Sequence, residues 1–177
     1  MTTVWRNSVW VLLGSALLVG LLLITRQWRP AIFAGSTLMC TALANTLTKH
    51  FFARVRPEVL SDPLTSYSMP SGHASGSFAL FLTLAVLAGR GQPPRMRLTW
   101  LLVGCLPALA ISLSRVYLGA HWPTDILAGA MLAACVCATS LWLSQRRTSL
   151  NALPPRVWWL VLPALVALFA FFVIRHL

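Results

Sequence analysis

The sequence predicts an all-α fold, a polytopic membrane helical bundle of about six transmembrane helices with a four-helix core. Three observations carry the prediction. The 177-residue chain is 58% hydrophobic and 10% charged, against about 25% charged in an ordinary soluble domain. Its mean hydropathy is +0.75, and its apolar residues gather into six runs, each near the ~20 residues that span a bilayer. Its cations are also divided unevenly between alternate connections.

The runs cover residues 9–25, 31–48, 73–89, 97–118, 123–144 and 157–175. The first, VWVLLGSALLVGLLLIT, is longer than a secretory h-region and is followed by no convincing small-residue cleavage site, so it is expected to stay as a helix in the membrane. The connections RQWRP, RGQPPRMR and SQRRTSLNALPPR carry Pro or Arg where helices should stop, and they read as turns between antiparallel neighbours. The connection KHFFARVRPEVLSDPLTSYSMPSGH differs, because about 24 residues separate the second and third helices, more than most links in compact bundles. No repeat or low-complexity segment interrupts the pattern. One integral-membrane domain over residues 1–177 is expected, its polar motifs lying within about 31–145.

Fourteen Lys and Arg face three acidic residues, a formal net charge of +11. Such an excess also suits nucleic acid, but membrane topology explains it better, and no nucleic-acid partner is assigned. Arg26, Arg29, Arg90, Arg95, Arg97, Arg146, Arg147 and Arg156 fall on one side, and Arg6, Lys49, Arg54, Arg56, Arg115 and Arg175 on the other. Lys49, Arg56 and Arg115 belong to polar motifs, and without them the division is eight to three. The positive-inside rule then assigns the eight to the cytoplasm and turns both termini and the motifs outward.

Cys40, Cys105, Cys135 and Cys137 lie inside apolar runs without zinc-site spacing. They are expected to be small packing residues, with no disulfide and no metal.

Three segments on the outward side hold the chain's concentrated chemistry. In KHFFARVRP, Lys49 and Arg56 are seven residues apart; on a continuing helix that is two turns, one face and about 10 Å of rise. Lys49, Arg54 and Arg56 can equally be anchors that snorkel to the head groups. In PSGH, Ser71 suits a helix N-cap and Gly72 lets backbone approach a ligand, so exposed N–H groups and the helix dipole would favour an anion beside His73. The alternative is a plain cap with a locally bonded histidine.

In SRVYLGAHWPTD, Gly119 can end one helix in a left-handed cap and Pro123 can open the next, leaving His121 in the turn. Asp125, four residues on, can reach one imidazole nitrogen and fix its tautomer, as an orienting carboxylate does for a catalytic base or nucleophile. Arg115 is expected to point into the same mouth. A His–Asp bond that merely pins two helices is the structural alternative, while a metal site is disfavoured because nearby cations would repel the ion.

Ionised Lys or Arg in a helix centre costs about 2.5 to 3.5 kcal/mol each, and three acidic residues cannot neutralise these cations. The missing counter-charge is expected from a ligand, and a phosphate fits best. Lys49, Arg56, Arg115 and the N–H groups after Ser71 would surround its non-bridging oxygens, with His121 and His73 on opposite sides of phosphorus.

The three segments resemble the signature motifs of the type 2 phosphatidic acid phosphatase superfamily: K-x6-R-P at Lys49 to Pro57, P-S-G-H at Pro70 to His73, and S-R-x5-H-x3-D at Ser114 to Asp125. Every motif position is matched. The resemblance implies a four-helix catalytic core in which His121, held by Asp125, attacks phosphorus to form a phosphohistidine. It also implies that His73 protonates the leaving oxygen and then serves as base for water. Lys49, Arg56 and Arg115 would bind phosphate oxygens, Ser71 and Gly72 would add hydrogen bonds, and no metal or other cofactor would be needed.

The expected activity is therefore hydrolysis of a lipid phosphate or diphosphate, with undecaprenyl diphosphate and phosphatidylglycerophosphate the leading substrates, at the outer face of a bacterial inner membrane. Transfer of the phosphoryl group to an acceptor such as lipid A is one alternative, and a non-catalytic phosphate-binding or transport protein is another. The partners expected are the phosphorylated lipid and the bilayer; the sequence sets no oligomeric state.

Overall fold

The structure, a computed structural model, describes residues 3–57, 66–147 and 149–174. Regular structure within them is entirely helical: α1 (Thr3–Ile24), α2 (Trp28–Phe52), α3 (Gly72–Ala88), α4 (Pro94–Tyr117), α5 (Pro123–Arg147) and α6 (Pro155–Ile174). Prolines open α4, α5 and α6, where a missing N–H costs nothing and the fixed φ already suits a helix. The order and number agree with the six apolar runs. The main differences are at the ends: α1 and α4 begin earlier than their apolar runs, and α2 continues to Phe52.

Three helices, Trp28–Phe52, Pro94–Tyr117 and Pro123–Arg146, are long and apolar enough to cross a membrane. Helix α3 has 17 residues, about 25 Å of rise, and lies at the centre, packed against α1, α2, α4 and α5. Helix α6 packs chiefly on α1. The motif-bearing helices α2 to α5 thus form the four-helix core, flanked by α1 and α6.

Leu18 and Leu22 of α1, Phe33 of α2, Leu80 of α3 and Val157 and Val161 of α6 are fully buried in one cluster. A smaller cluster of Phe78, Ala79, Ala108 and Ala133 joins α3, α4 and α5. The outside is apolar too. Of α4 only Ala108 and Ser112 are buried, while Leu102, Leu106, Leu109 and Leu113 are exposed. A helix that is apolar on its unpartnered face is suited to lipid.

Several buried polar side chains within these helices find partners inside the protein, as a lipid environment favours. Thr37 donates to the Phe33 carbonyl at 2.8 Å, Thr41 to Thr37 at 2.7 Å and Ser112 to Ala108 at 2.7 Å, each one turn back along its own helix. Asn45 Nδ2 donates across to Ser75 Oγ at 2.9 Å, tying α2 to α3. The cysteines depart from expectation: Cys137 is buried, but Cys40 and Cys135 are exposed, because they fall on the outer faces of α2 and α5. Only Cys137 is a fully enclosed packing residue.

Candidate active site

The turn between α4 and α5 is fixed by backbone chemistry. Gly119 has φ +69°; its N–H bonds to the Val116 carbonyl at 2.9 Å and that of Ala120 to Arg115 at 3.0 Å. This pair is a Schellman motif, which caps the last carbonyls of α4 and needs a residue that tolerates the left-handed region. The chain then enters α5 at Pro123. Asp125 sits at the third helical position, where its Oδ2 accepts the Trp122 N–H at 2.9 Å, half of a capping box. His121 is left between cap and helix, only 4% exposed, and Asp125 is fully buried.

The first motif does not continue as a helix. Helix α2 ends at Phe52, and Ala53 takes φ 44° in the left-handed region, its N–H still bonded to Lys49. Lys49 and Arg56 therefore do not share a helical face. Lys49 stands on the last turn of α2, and Arg56 arrives on a non-helical segment that folds over the α4–α5 turn. That segment is pinned by the Ser68 N–H to the Arg54 carbonyl at 2.8 Å and by Trp122 Nε1 to the Val55 carbonyl at 3.2 Å.

The cations converge all the same. Arg56 Nη1 donates to the Ala120 carbonyl at 2.8 Å and lies 3.2 Å from His121 Nε2, while Nε donates to the Ser66 carbonyl at 2.8 Å. Lys49 Nζ donates to the Tyr67 carbonyl at 2.6 Å. Arg115 is on the last turn of α4, as expected, and acts electrostatically on His73, as do His121, Arg56 and Lys49.

The second motif caps α3 as its sequence predicts. Ser71 is the N-cap, its side chain accepting from Ala74 N at 3.4 Å, and Gly72 is exposed. The Ser71 N–H donates to the Asp125 carbonyl at 3.0 Å. Gly129, one turn further along α5, makes this approach feasible: a Cβ there would stand 2.8 Å from the Ser71 carbonyl and 3.0 Å from Ser75 N.

His121 Nδ1 is 3.5 Å from Asp125 Oδ2, longer than the usual 2.7–3.2 Å hydrogen bond. Burial pushes the His121 pKa down to about 4, aided by Arg56 and Lys49 and opposed by Asp125. The ring is neutral at neutral pH, the form that can act as a nucleophile. Burial likewise disfavours the charge on Arg56, and Asp125 favours it.

Two residues outside the sequence-predicted set contact the same carboxylate. Arg54 Nη1 lies 3.0 Å from Asp125 Oδ1, and the Ser68 hydroxyl donates to Oδ2. Arg54 had the sequence signature of a head-group anchor, and Ser68 had none. Only the fold of the connecting segment brings them in. Most of the loop EVLSDPLTSYSM, including Glu58 and Asp62, lies outside the described residues.

A polytopic helical membrane protein whose polar side chains converge at one end is the class that this fold and site define. The sequence matches the PAP2 superfamily over residues 9–149, and the chain belongs to that family. It is 30% identical over 147 residues to an undecaprenyl-diphosphatase of Sulfolobus acidocaldarius, covering 77% of this chain and 64% of that protein. It is 32% identical over 93 residues to phosphatidylglycerophosphatase B of Bacillus subtilis, covering 49% and 44%. The chain thus spans less than two thirds of the length of either relative. A crystal structure of a transmembrane PAP2-type phosphatidylglycerolphosphate phosphatase from Bacillus subtilis has the same fold, with a TM-score of 0.64 at 21% identity over 85% of this chain and 82% of that one.

Proposed function

We propose that this protein is a membrane lipid phosphatase that hydrolyses a lipid phosphate or diphosphate monoester through a phosphohistidine on His121. The observation that carries the reading is the placement of His121: buried, beside Asp125, with Nε2 facing a guanidinium. A guanidinium only donates, so Nε2 presents its lone pair and Nδ1 carries the proton, toward Asp125. As Nε2 attacks phosphorus and the bond to the leaving oxygen breaks, positive charge grows on the ring and Asp125 stabilises it. His73, protonated as the bound phosphate offsets the cations around it, gives that oxygen a proton, then takes one from the water that cleaves the N–P bond. Lys49, Arg56 and Arg115, with Ser71 and the N–H groups after it at the start of α3, hold the phosphoryl oxygens and stabilise the charge redistributed in the transition state.

A cavity of about 510 Å³ between α1, α2 and α3 supports a lipid substrate. It begins at Gly72 and His73 and runs beside Gly35 and Val19, with mainly apolar walls. From Asn45 to Gly35 it follows about 15 Å of α2, a path for one hydrocarbon tail. The names of the relatives favour an undecaprenyl diphosphate or a phosphatidylglycerophosphate. The cation asymmetry favours a mouth on the outer face of a cytoplasmic membrane, with residues 1–177 acting as one domain.

The test is phosphate release by the purified protein, in EDTA, from undecaprenyl diphosphate, phosphatidylglycerophosphate, phosphatidate and lipid A. Release from at least one is expected, with His121→Ala and His73→Ala each lowering turnover by a factor on the order of 10³ or more. No release from any of the four, or turnover retained in His121→Ala, overturns the reading.

A further inference from the structure

We infer that Arg54 and Ser68 are positioning residues for this site, acting through the Asp125 carboxylate; the inference rests on Asp125 being the partner of His121 in the proposed reaction. Asp125 is fully buried. A buried carboxylate stays ionised only where donors replace the lost water. An unionised one cannot compensate charge developing on an imidazole.

Three donors bond this carboxylate, and the His121 ring faces it. Arg54 Nη1 stands on Oδ1 at 3.0 Å. On Oδ2 converge the Ser68 hydroxyl, the Trp122 N–H at 2.9 Å and, further out, His121 Nδ1 at 3.5 Å. The Trp122 contact comes with the helix cap, but by itself it leaves the carboxylate free to turn about its last side-chain bond. Arg54 on one oxygen and Ser68 on the other remove that freedom and keep Oδ2 toward the ring.

Arg54 and Ser68 form one unit, since the Ser68 N–H bonds to the Arg54 carbonyl at 2.8 Å. The Arg54 guanidinium is itself held by Thr124 Oγ1 at 2.6 Å and lies 5.4 Å from the Trp122 ring centroid. Its Nη1 is thereby committed to α5. Arg54 and Arg56 are two residues apart on a non-helical segment, and they address the two members of one pair: Arg56 the His121 ring, Arg54 the Asp125 carboxylate.

The other titratable groups near the pair are Lys49 from α2 and Arg56 on the segment after it, which act on His121 and Asp125 alike, and His73 from α3, which His121 and Arg115 of α4 reach electrostatically. Lys49 and Arg56 act on Asp125 through space, while Arg54 is the cation in direct contact with it.

The experiment measures Arg54→Ala, Arg54→Lys and Ser68→Ala in purified full-length protein, with thermal unfolding as a folding control. A misplacement of about 1 Å can cost on the order of 10²-fold in rate. Arg54→Ala is therefore expected to lower kcat by about 10- to 100-fold with KM within about twofold. Arg54→Lys should recover part of kcat, and Ser68→Ala should give a smaller loss of the same kind.

A rise in KM at unchanged kcat overturns the inference, because it makes Arg54 a phosphate ligand; so do wild-type kinetics, which make it an anchor. A readout independent of turnover is the ring-nitrogen spectrum of 15N-labelled His121. The wild type should show the Nδ1–H tautomer and Arg54→Lys and Ser68→Ala a shifted or mixed one; unchanged signals in both overturn the inference even if no lipid phosphate is hydrolysed. Absence of hydrolysis by the wild type, with the tautomer shift present, fails the proposed function and not this inference.

Discussion

Arg56 Nη1 stands 3.2 Å from His121 Nε2, so the chain's own guanidinium rests against the nitrogen assigned to attack phosphorus. The contact selects a tautomer, because the partner can only donate. It also sets a charge. Burial, then Arg56 and Lys49, hold the His121 pKa at about 4 against an ordinary 6.5, with Asp125 pulling the other way.

The pH dependence follows from that sign. Between pH 6.5 and about 4 the unfolded chain binds a proton at this histidine and the folded chain does not, so stability falls as pH drops through this window. The proposed nucleophile is likewise protonated as pH falls through about 4. Arg56→Ala removes a depressing charge and should raise the His121 midpoint. It also removes a group proposed to hold the phosphate, so kcat/KM should fall by about 10-fold or more. Titration of 15N-labelled His121 checks both midpoints; a wild-type midpoint at or above 6.5 contradicts the assignment.

The cavity below His73 makes a prediction about substrate length. Ala42 lines it and sits on α2 between Gly35 and Asn45. Ala42→Trp should obstruct a hydrocarbon tail without touching the phosphate end. KM for a long-chain lipid phosphate should rise about 10-fold, while hydrolysis of a short-chain, water-soluble phosphate ester stays within about twofold. Equal losses on both substrates would show that the cavity does not hold the tail.

Asn45 offers a separate test of the scaffold. Its Nδ2 donates to Ser75 Oγ at 2.9 Å and lies 3.5 Å from the Pro70 carbonyl, joining α2 to the start of α3. Hydrogen bonds between membrane helices are worth about 0.6 kcal/mol and up to about 1.7. Asn45→Ala should therefore lower unfolding free energy by roughly 1 kcal/mol in detergent, and Ser75→Ala by a similar amount. The double variant should lose less than the sum, because both remove one bond.

What was legible in the sequence follows the physics of each feature. Helix number and order were legible because bilayer thickness imposes a length on every apolar run. The α4–α5 turn was legible because Gly119, Pro123 and Asp125 each do local work, as cap, opener and third-position acceptor. The path after α2 was not. Seven-residue spacing suggested one helical face for Lys49 and Arg56, but Ala53 turns left-handed and the chain leaves the helix. Arg54 and Ser68 reach Asp125 only through that departure, across 71 and 57 positions of sequence, which no local pattern encodes. The outer faces of Cys40 and Cys135 were illegible for a related reason: in an apolar helix facing lipid, composition does not distinguish inside from outside.

The last prediction concerns Gly129, which brings the second and third motifs together. A Cβ at this position would lie 2.8 Å from the Ser71 carbonyl, 3.0 Å from Ala74 Cβ and 3.0 Å from Ser75 N; two of the three are backbone atoms, which cannot swing away. Gly to Ala inside a helix normally gains about 0.5–1 kcal/mol. Overpacking costs about 1–3 kcal/mol, so Gly129→Ala should be a net loss of roughly 1 kcal/mol or more, and Gly129→Val a larger one. The same push would stretch the 3.0 Å bond from Ser71 N to the Asp125 carbonyl and shift α3, with His73, away from His121. Turnover should therefore fall by about 10-fold or more in Gly129→Ala, even at temperatures where the protein stays folded. Gly20 on α1 has nothing within 4 Å of its would-be Cβ, and Gly20→Ala should keep full activity with unchanged or slightly raised stability. Thermal unfolding and phosphate release on the two variants decide the matter: equal behaviour would mean that α5 does not need its close approach to the Ser71 turn.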